Sequence, residues 1–361
     1  MKLYLLDLTG TLKAYFIHIE CLRLLSKIRC TKQIQWFTIF IYIRKNYKPE
    51  VFKMKPKKSI REISDHLSIT RQGLHKKLKT LGIVPPKEGN TYFIDHETAK
   101  NLFQYEFEPK VISVQVVKGG VGKTTLTHSI AVNASLYGAK VLCIDLDQQS
   151  NLTLAFDQSN TAKETPVMID ILDGEAPIED AILSVTNGVD LIPSRMENAG
   201  LDNAITLGKK RIDKVIATHI NKIKSNYDLI LIDCPPSLGP SVCAAALTSD
   251  YVICPVTPSE FSISGLSVSQ KEMASLSEDY DTEIRIKILL NMHDSRKKSS
   301  FETLEYLLSN EKLRENLFKG YVRINQNFEN VIQERKSIYE NFKTNSMKED
   351  IDIVTKEILS I

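Results

Sequence analysis

The pattern of apolar and polar positions changes near residue 110. Five apolar runs of strand length follow, separated by stretches of helical periodicity: VISVQVV, KVLCIDLD, DLILIDCPP, DYVICPV and IRIKILLN. Continuous apolar strands that alternate with helices are typical of a parallel sheet covered by helices on both faces. The pattern therefore predicts an α/β domain with a doubly wound, mostly parallel sheet over residues 109–361.

A different pattern occupies residues 59–105. Ser59 and Glu62 form a capping box ahead of one short helix, and Thr70 can cap a second helix that carries leucines on one face. A Gly-Asn turn, a short strand and a third capped helix follow. Two helices joined by a tight turn and followed by a hairpin predict a small winged helix-turn-helix domain over residues 54–108.

Residues 1–53 differ from both patterns in composition. They hold the only tryptophan and carry 10 Lys and Arg against 3 Asp and Glu. Three interpretations are open: a helical extension that pairs with a second chain, a surface-seeking amphipathic segment, or a stretch that is not part of the natural protein. We favour the third, because MKPKKSIREISDHL, from Met54, is typical of the polar start of a small domain.

Composition narrows the class of protein. The 361 residues can hold two or three domains, and the net charge is only +3. The six cysteines form no CxxC pair, and the longest dense apolar run near the start, IQWFTIFIYI, is too short to span a bilayer. The first 30 residues lack a small-residue cleavage site. We therefore expect a reduced, cytoplasmic chain without a signal peptide.

The candidate chemistry begins with GGVGKTT, which follows a predicted strand and opens a predicted helix. Backbone N–H groups freed by the glycines would face phosphates, and the helix N-terminus adds the positive end of its dipole. Lys123 would reach the β- and γ-phosphates, and the Thr124 hydroxyl would ligate Mg²⁺. A glycine turn that merely joins strand to helix is the alternative. The motif predicts ATP or ADP and Mg²⁺ as cofactors.

Asn291 ends the last predicted strand, where its amide could pair with the adenine edge or simply cap the strand. The predicted nucleotide-binding residues are Gly119, Gly120, Val121, Gly122, Lys123, Thr124, Thr125 and Asn291.

A second lysine, Lys118, lies five residues before Lys123. The stretch KGGVGKTT resembles the deviant Walker A motif of the ParA/MinD family of ATPases. The resemblance implies that Lys118 is the signature lysine, which reaches across a nucleotide-bound dimer to the partner's phosphates, as an arginine finger does. It also implies a Mg²⁺-dependent ATPase that forms an ATP-dependent homodimer.

Two more motifs resemble the family at its spacing. In VLCIDLDQQSNLT, Asp147 would orient the attacking water and Asp145 would support the Mg²⁺ shell, although Gln148 stands where the family usually has proline. In YDLILIDCPPSLG, Asp233 would bind the Mg²⁺ shell through water. Aspartates that merely end buried strands are the alternative. The predicted catalytic residues are Lys118, Lys123 and Asp147, and the predicted metal-binding residues are Thr124, Asp145 and Asp233.

Two surfaces are candidates for DNA binding, and for both the alternative is a solvated charged segment. In the second helix of the predicted helix-turn-helix, Arg and Gln suit base edges and lysines suit phosphates. In the α/β domain, the resemblance implies nonspecific DNA binding by basic residues in HDSRKK, whereas a second family arginine aligns with Asn327, with Arg323 offset. The predicted DNA-binding residues are Arg71, Gln72, His75, Lys76 and Lys79 on the helix, and Arg296, Lys297 and Lys298 in the α/β domain.

The resemblance is to the longer ParA subgroup with an N-terminal winged helix-turn-helix. It implies a nucleoid-associated, cytoplasmic partition ATPase that is cycled by a ParB-like centromere-binding protein and represses its own operon. One alternative is a MinD-like positioning ATPase, disfavoured because EDIDIVTKEILSI has no basic face for a membrane. Others are a nucleotide-sensing transcription regulator without a transport role, and a metal-cluster reductase, disfavoured because no second cysteine matches Cys234.

Overall fold

The computed structural model describes residues 2–6, 12–16, 54–325, 334–341 and 346–360. By its contacts the chain divides into two units, Met1–Phe52 and Lys53–Ile361. In the first unit, strand β1 (Lys2–Leu6) pairs antiparallel with β2 (Leu12–Phe16). The rest of that unit, and with it the choice among the three interpretations of residues 1–53, lies outside the described residues.

The second unit begins with a small module of three helices and a three-stranded antiparallel sheet. The helices are α1 (Ile60–His66), α2 (Arg71–Thr80) and α3 (His96–Phe103), and the strands are β3 (Lys58–Ser59), β4 (Lys87–Glu88) and β5 (Thr91–Ile94). The predicted capping box of Ser59 and Glu62 is present, and the Thr70 side chain caps α2. Local capping therefore fixes where these helices begin.

A seven-stranded sheet forms the centre of the rest of the unit, in the order β12-β11-β6-β10-β7-β9-β8. Every pair is parallel except β8 with β9, which confirms the prediction of a mostly parallel α/β sheet. The strands are β6 (Lys110–Val114), β7 (Val141–Asp145), β8 (Leu183–Thr186), β9 (Val189–Ile192), β10 (Leu229–Asp233), β11 (Tyr251–Val256) and β12 (Ile286–Leu290).

Strand β8, at the edge of the sheet, and its neighbour β9 were not predicted. They are four residues long each and joined by a turn in which Gly188 has φ +79°. Their sequences, LSVT and VDLI, lack the continuous apolar run that identified the buried strands. Short strands without such a run carry a weaker sequence signal than strands that are buried on both faces.

Helices cover both faces of this sheet. They are α4 (Lys123–Ser135), α5 (Asn151–Ala155), α6 (Met168–Leu172), α7 (Leu201–Leu207), α8 (Ile212–Val215), α9 (Ala217–Ile223), α10 (Pro240–Thr248), α11 (Glu260–Asp279), α12 (Lys298–Ser309), α13 (Glu311–Glu315) and α14 (Ser346–Leu359). None of the helices in the described part of the chain has the length and apolar character needed to cross a bilayer.

Neighbouring residues of β6 pack into hydrophobic cores on opposite faces of the sheet. Ile112 packs into the core that α4 and α14 cover, whereas Val111 packs into the core formed with α6, α7, α9 and α10. Because side chains alternate along a strand, an unbroken apolar run is needed when both faces are covered. This explains why the buried strands were recognisable in the sequence.

The small module is joined to the α/β part through a buried charged cluster. Lys58, whose side chain is 3% exposed, pairs with Asp352 of α14, and its ammonium also donates to the Tyr137 hydroxyl at 3.1 Å. The Tyr137 hydroxyl in turn donates to Asp352 at 2.6 Å. Burial lowers the pKa of Lys58. Burial alone would raise the pKa of Asp352, but Lys58 and Lys356 hold that pKa well below its usual range.

We predict that Asp352→Asn lowers the free energy of unfolding at pH 7 by about 3 kcal/mol, because it leaves Lys58 buried without its carboxylate. A carboxyl whose folded pKa is depressed stabilises the fold above its unfolded pKa and loses this contribution as pH falls through the folded value. The gap between wild type and variant should therefore narrow below about pH 4. Urea unfolding across pH measures both.

Glu302→Gln is the matched control, since Glu302 pairs with Lys298 while both side chains are exposed. We expect a change below about 1 kcal/mol from it. Equal losses in the two variants would show that the buried cluster contributes no more than a surface pair.

A candidate nucleotide site at the carboxyl ends of the central strands

Three adjacent parallel strands end side by side at the candidate site. In the register of β6, β10 and β7, Asp233 is level with Val114 on one side and with Asp145 on the other. The loop after β6 therefore meets the carboxylates that end β10 and β7. Carboxyl ends of adjacent strands in open α/β sheets are where such folds bind ligands.

The backbone of the phosphate loop has the form of an anion cradle. Gly120 and Gly122 have φ values of +72° and +85°, which residues with a side chain rarely adopt. Helix α4 starts immediately afterwards, at Lys123, without a side-chain cap. Among the described residues, no acceptor takes the backbone N–H groups of residues 119–125. Unpaired donors at a helix N-terminus fit a chain of phosphates.

Lys123 lies inside its own loop. It is 8% exposed, and its ammonium donates to the Lys118 carbonyl at 3.2 Å. Burial lowers its pKa, although the nearby Asp233 opposes that shift. The side chain thus folds back onto the start of its own loop, and its contact with the β- and γ-phosphates stays a prediction.

Thr124 and Asp233 form the oxygen pair that was predicted to hold Mg²⁺. The Thr124 hydroxyl donates to Asp233 at 2.7 Å, and the carboxyl is fully buried. Burial raises the pKa of Asp233 to about 7. A hydroxyl and a carboxylate are the ligands that Mg²⁺ uses beside nucleotide phosphates, so this donor set fits the cation.

Asp145 and Asp147 have different surroundings. Asp145 is fully buried and accepts hydrogen bonds from the backbone N–H (2.9 Å) and hydroxyl (2.8 Å) of Thr153 and from the backbone N–H of Asp147 (3.1 Å). Burial, together with the charge of Asp233, raises its pKa to about 8. Both of its oxygens thus hold the loop between β7 and α5, and its contribution to a Mg²⁺ shell stays a prediction.

Asp147 keeps one oxygen available. Its other oxygen accepts a hydrogen bond from the Gln149 N–H at 2.9 Å, and the residue is 7% exposed. No described residue donates to the second oxygen. The sequence analysis missed the contact between Asp145 and Thr153, which fixes this loop, because a threonine eight residues away carries no motif.

Asn291 lies against the loop. It is 2% exposed, and its amide nitrogen donates to the Val121 carbonyl at 2.8 Å. A Cβ added to Gly122 would lie 2.5 Å from that nitrogen. Asn291 therefore buttresses the loop backbone, and its predicted contact with adenine stays a prediction. Only the pairing of β11 with β12 brings this residue, 170 positions further along, to the loop.

The Lys118 side chain lies over an aromatic ring of another helix. Its ammonium lies 5.3 Å from the centroid of the Phe261 ring, in the first turn of α11, and forms no ion pair with a described residue. The two lysines of the motif thus occupy different places. Phe261 was not among the predicted site residues, since nothing in its local sequence marks it.

The two candidate DNA surfaces differ in how their charges are paired. The five predicted residues of α2, from Arg71 to Lys79, are exposed, and no ion pair with another described residue neutralises them. In the α/β domain, Arg296 instead makes two hydrogen bonds to Asp294, at 2.9 and 3.0 Å, and Lys298 pairs with Glu302 at 2.9 Å. The hydrogen bonds from Arg296 lower the pKa of Asp294 to about 2. Asn327 lies outside the described residues, and Arg323 is engaged by Asp350.

Comparison with known proteins assigns the family. The family described as AAA domain matches residues 109–286. Sporulation initiation inhibitor protein Soj of Bacillus subtilis is 32% identical over 198 residues, which cover 54% of this chain and 78% of Soj. This chain belongs to the ParA/Soj family of P-loop ATPases. Chromosome partitioning protein ParA of Caulobacter vibrioides is 31% identical over 196 residues, 53% of this chain and 72% of that protein.

A solved structure agrees in fold. A putative plasmid partition protein from Borrelia burgdorferi, bound to AMPPNP, matches with a TM-score of 0.56 and 23% identity, over 70% of this chain and all of that one. The resemblance that the KGGVGKTT loop indicated is thereby confirmed at the level of the ParA family, whose cofactors are ATP and Mg²⁺.

We predict that Gly122→Ala weakens nucleotide binding at least tenfold. The new Cβ would strain a left-handed backbone and displace the Asn291 amide from the loop. Titration with a fluorescent ATP analogue measures the affinity.

Gly174→Ala is the matched control, because Gly174 also has a positive φ, +77°, but nothing lies within 4 Å of the added Cβ. It should cost about 1 kcal/mol of stability and leave the affinity unchanged. A similar loss of affinity in both variants would mean that general destabilisation, and not the displaced amide, is responsible.

Proposed function

We propose that this chain is a DNA-partition ATPase that forms a homodimer on ATP, binds DNA nonspecifically in that state and is cycled by a ParB-like centromere-binding protein. The observation that carries the proposal is the separation of the two loop lysines. Lys123 lies inside its own loop, whereas the ammonium of Lys118 lies over Phe261 on another helix. A second cation held away from its own phosphate cradle supports a role in a partner's site.

Each residue has a distinct task in hydrolysis. The loop N–H groups and Lys123 bind the β- and γ-phosphates, and Thr124 and Asp233 would hold Mg²⁺, whose charge would offset that of the phosphate oxygens. The free oxygen of Asp147 accepts a hydrogen bond from the attacking water and orients it. The partner subunit's Lys118 stabilises the negative charge that develops in the transition state. Hydrolysis then removes phosphate charge that Lys118 of the partner subunit binds, so the dimer dissociates.

The exposed face of α2 supports the second proposed activity, operator binding and autorepression by a winged helix-turn-helix domain at residues 54–108. Arg71 and Gln72 lie in the first turn of the helix, the part that contacts base edges in such domains. Lys76 and Lys79 follow on the same exposed side, where they suit phosphates. The chain would accordingly be found on the nucleoid.

Two other candidates are distinguished by specific observations. A nucleotide-sensing transcription regulator without a transport role also fits the uncompensated basic face of α2, but DNA would not stimulate its ATP turnover. A MinD-like membrane role is disfavoured by the packing of α14. Its apolar residues Ile351, Val354 and Ile358 are at most 1% exposed and belong to the core beside α4.

We predict that Lys118→Ala and Asp147→Ala both reduce DNA-stimulated ATP turnover at least a hundredfold, for different reasons. Asp147→Ala lacks the residue that orients water and should still dimerise with ATP, whereas Lys118→Ala should remain monomeric. Turnover and sedimentation velocity with and without ATP measure the two effects. Normal hydrolysis by Lys118→Ala would refute the cross-dimer role.

Lys140→Ala is the control for loss of a lysine that lies over an aromatic ring. Its ammonium is 4.9 Å from the centroid of Tyr227, and the residue precedes β7, at the opposite end of that strand from Asp145. Turnover and dimerisation should match those of the wild type.

We also predict opposite effects from two changes around HDSRKK. Replacing Arg296, Lys297 and Lys298 together by Gln should weaken nonspecific DNA binding and flatten its dependence on salt. Asp294→Asn frees Arg296 from its acidic partner and should strengthen binding instead. Fluorescence anisotropy with a random-sequence duplex at several salt concentrations measures both. Unchanged binding in both variants would remove this segment from the DNA surface.

A further inference from the structure

Helix α11 fixes the backbone that leads into Lys118. The Val117 N–H donates to the Ser269 hydroxyl at 3.2 Å. A Cβ added to Gly265 would lie 2.9 Å from the Val117 carbonyl, so that only glycine lets the helix approach so closely. The segment before the phosphate loop is therefore packed against α11 at Gly265 and Ser269.

The Phe261 ring lies at the start of the same helix. Ser259 caps α11 with its side chain, which sets the position of the first turn and thus of Phe261. The ring is 75% exposed, more than any other phenylalanine or tyrosine in the described part of the chain. Its one cationic neighbour there is Lys118.

We propose that Phe261 is a positioning residue for Lys118. The ring face attracts the ammonium through its quadrupole and keeps the side chain at the rim of the site, away from the subunit's own cradle. The lysine is thereby already placed when a second copy closes over the nucleotide. The inference rests on the proposed function, because it assigns how this chain holds the lysine that serves the partner's phosphates.

Closure strengthens the same contact. A cation over an exposed ring gains little, whereas a desolvated pair gains several times more. When a second copy covers Phe261, water leaves the ring and the ammonium together. The contact therefore contributes more in the dimer than in the monomer, and its loss should appear in dimerisation and turnover and not in nucleotide binding by one subunit.

The first experiment observes Lys118 directly in the nucleotide-free protein. Lysines are reductively methylated with ¹³C, and the Lys118 signal is identified by its absence in Lys118→Arg. We expect a ring-current shift of this signal in the wild type and in Phe261→Trp, and its loss in Phe261→Leu, which keeps an apolar side chain without a ring. Phe301→Leu, at another exposed phenylalanine, should leave the signal in place.

The second experiment measures function in the same variants. Phe261→Leu should raise the protein concentration needed for half-maximal ATP turnover, or lower kcat, by about threefold to thirtyfold. Affinity of the monomer for a fluorescent ATP analogue should not change. Turnover by Phe261→Trp should stay within about twofold of the wild type, because a tryptophan ring attracts cations at least as well as a phenylalanine ring does.

Three results would overturn the inference. A Lys118 signal that does not depend on residue 261 would show that the ring does not hold the ammonium. Weaker nucleotide binding by monomeric Phe261→Leu would mean that the ring stacks on the base. Turnover by Phe261→Trp as low as that of Phe261→Leu would show that Phe261 acts only as an apolar residue of the dimer interface.

Different results would refute the inference and the proposed function. Normal turnover by Lys118→Ala would refute the cross-dimer role whatever residue 261 does. An inactive Lys118→Ala, combined with a Lys118 signal that is indifferent to Phe261, would refute only the positioning role.

Discussion

The hydrogen bond from Thr124 to the buried Asp233 is the contact on which the site depends. It ties the first turn of α4 to the central strand β10, and so fixes the phosphate loop against the sheet. The same burial that makes this bond strong raises the pKa of Asp233 to about 7. A divalent cation at this point would relieve the cost of the buried charge, which links the stability of the loop to the cofactor.

The two loop lysines are positioned by two different helices. Helix α4 carries Lys123 in its first turn, from which the ammonium donates to the Lys118 carbonyl. Helix α11 seats Val117 and presents Phe261 to Lys118. Each lysine is thus held by a different element, which is the arrangement on which the proposed roles of Lys123 and Lys118 rest.

Helix α4 also connects the site to the small module. Its first turn belongs to the phosphate loop, and Tyr137 follows its last turn and joins the buried cluster of Lys58 and Asp352. A buried ion pair is costly unless its geometry is well satisfied, and here a phenol and a second lysine complete it. The exposed face of α2 is thus carried on a module that is fixed to the nucleotide-binding part by specific polar contacts.

The sequence by itself determined the features that depend on near neighbours: the phosphate loop, the capped helices of the small module, the five continuous apolar strands and the aspartates that end two of them. Tertiary structure alone decided strands β8 and β9, the hydrogen bond from Asn291 to Val121, the hydrogen bonds from Thr153 to Asp145 and the placing of Lys118 over Phe261. Caps and alternation act over a few residues, so they leave local patterns. Contacts such as that of Asn291 join residues far apart in the chain, and only the pairing order of the strands brings them together.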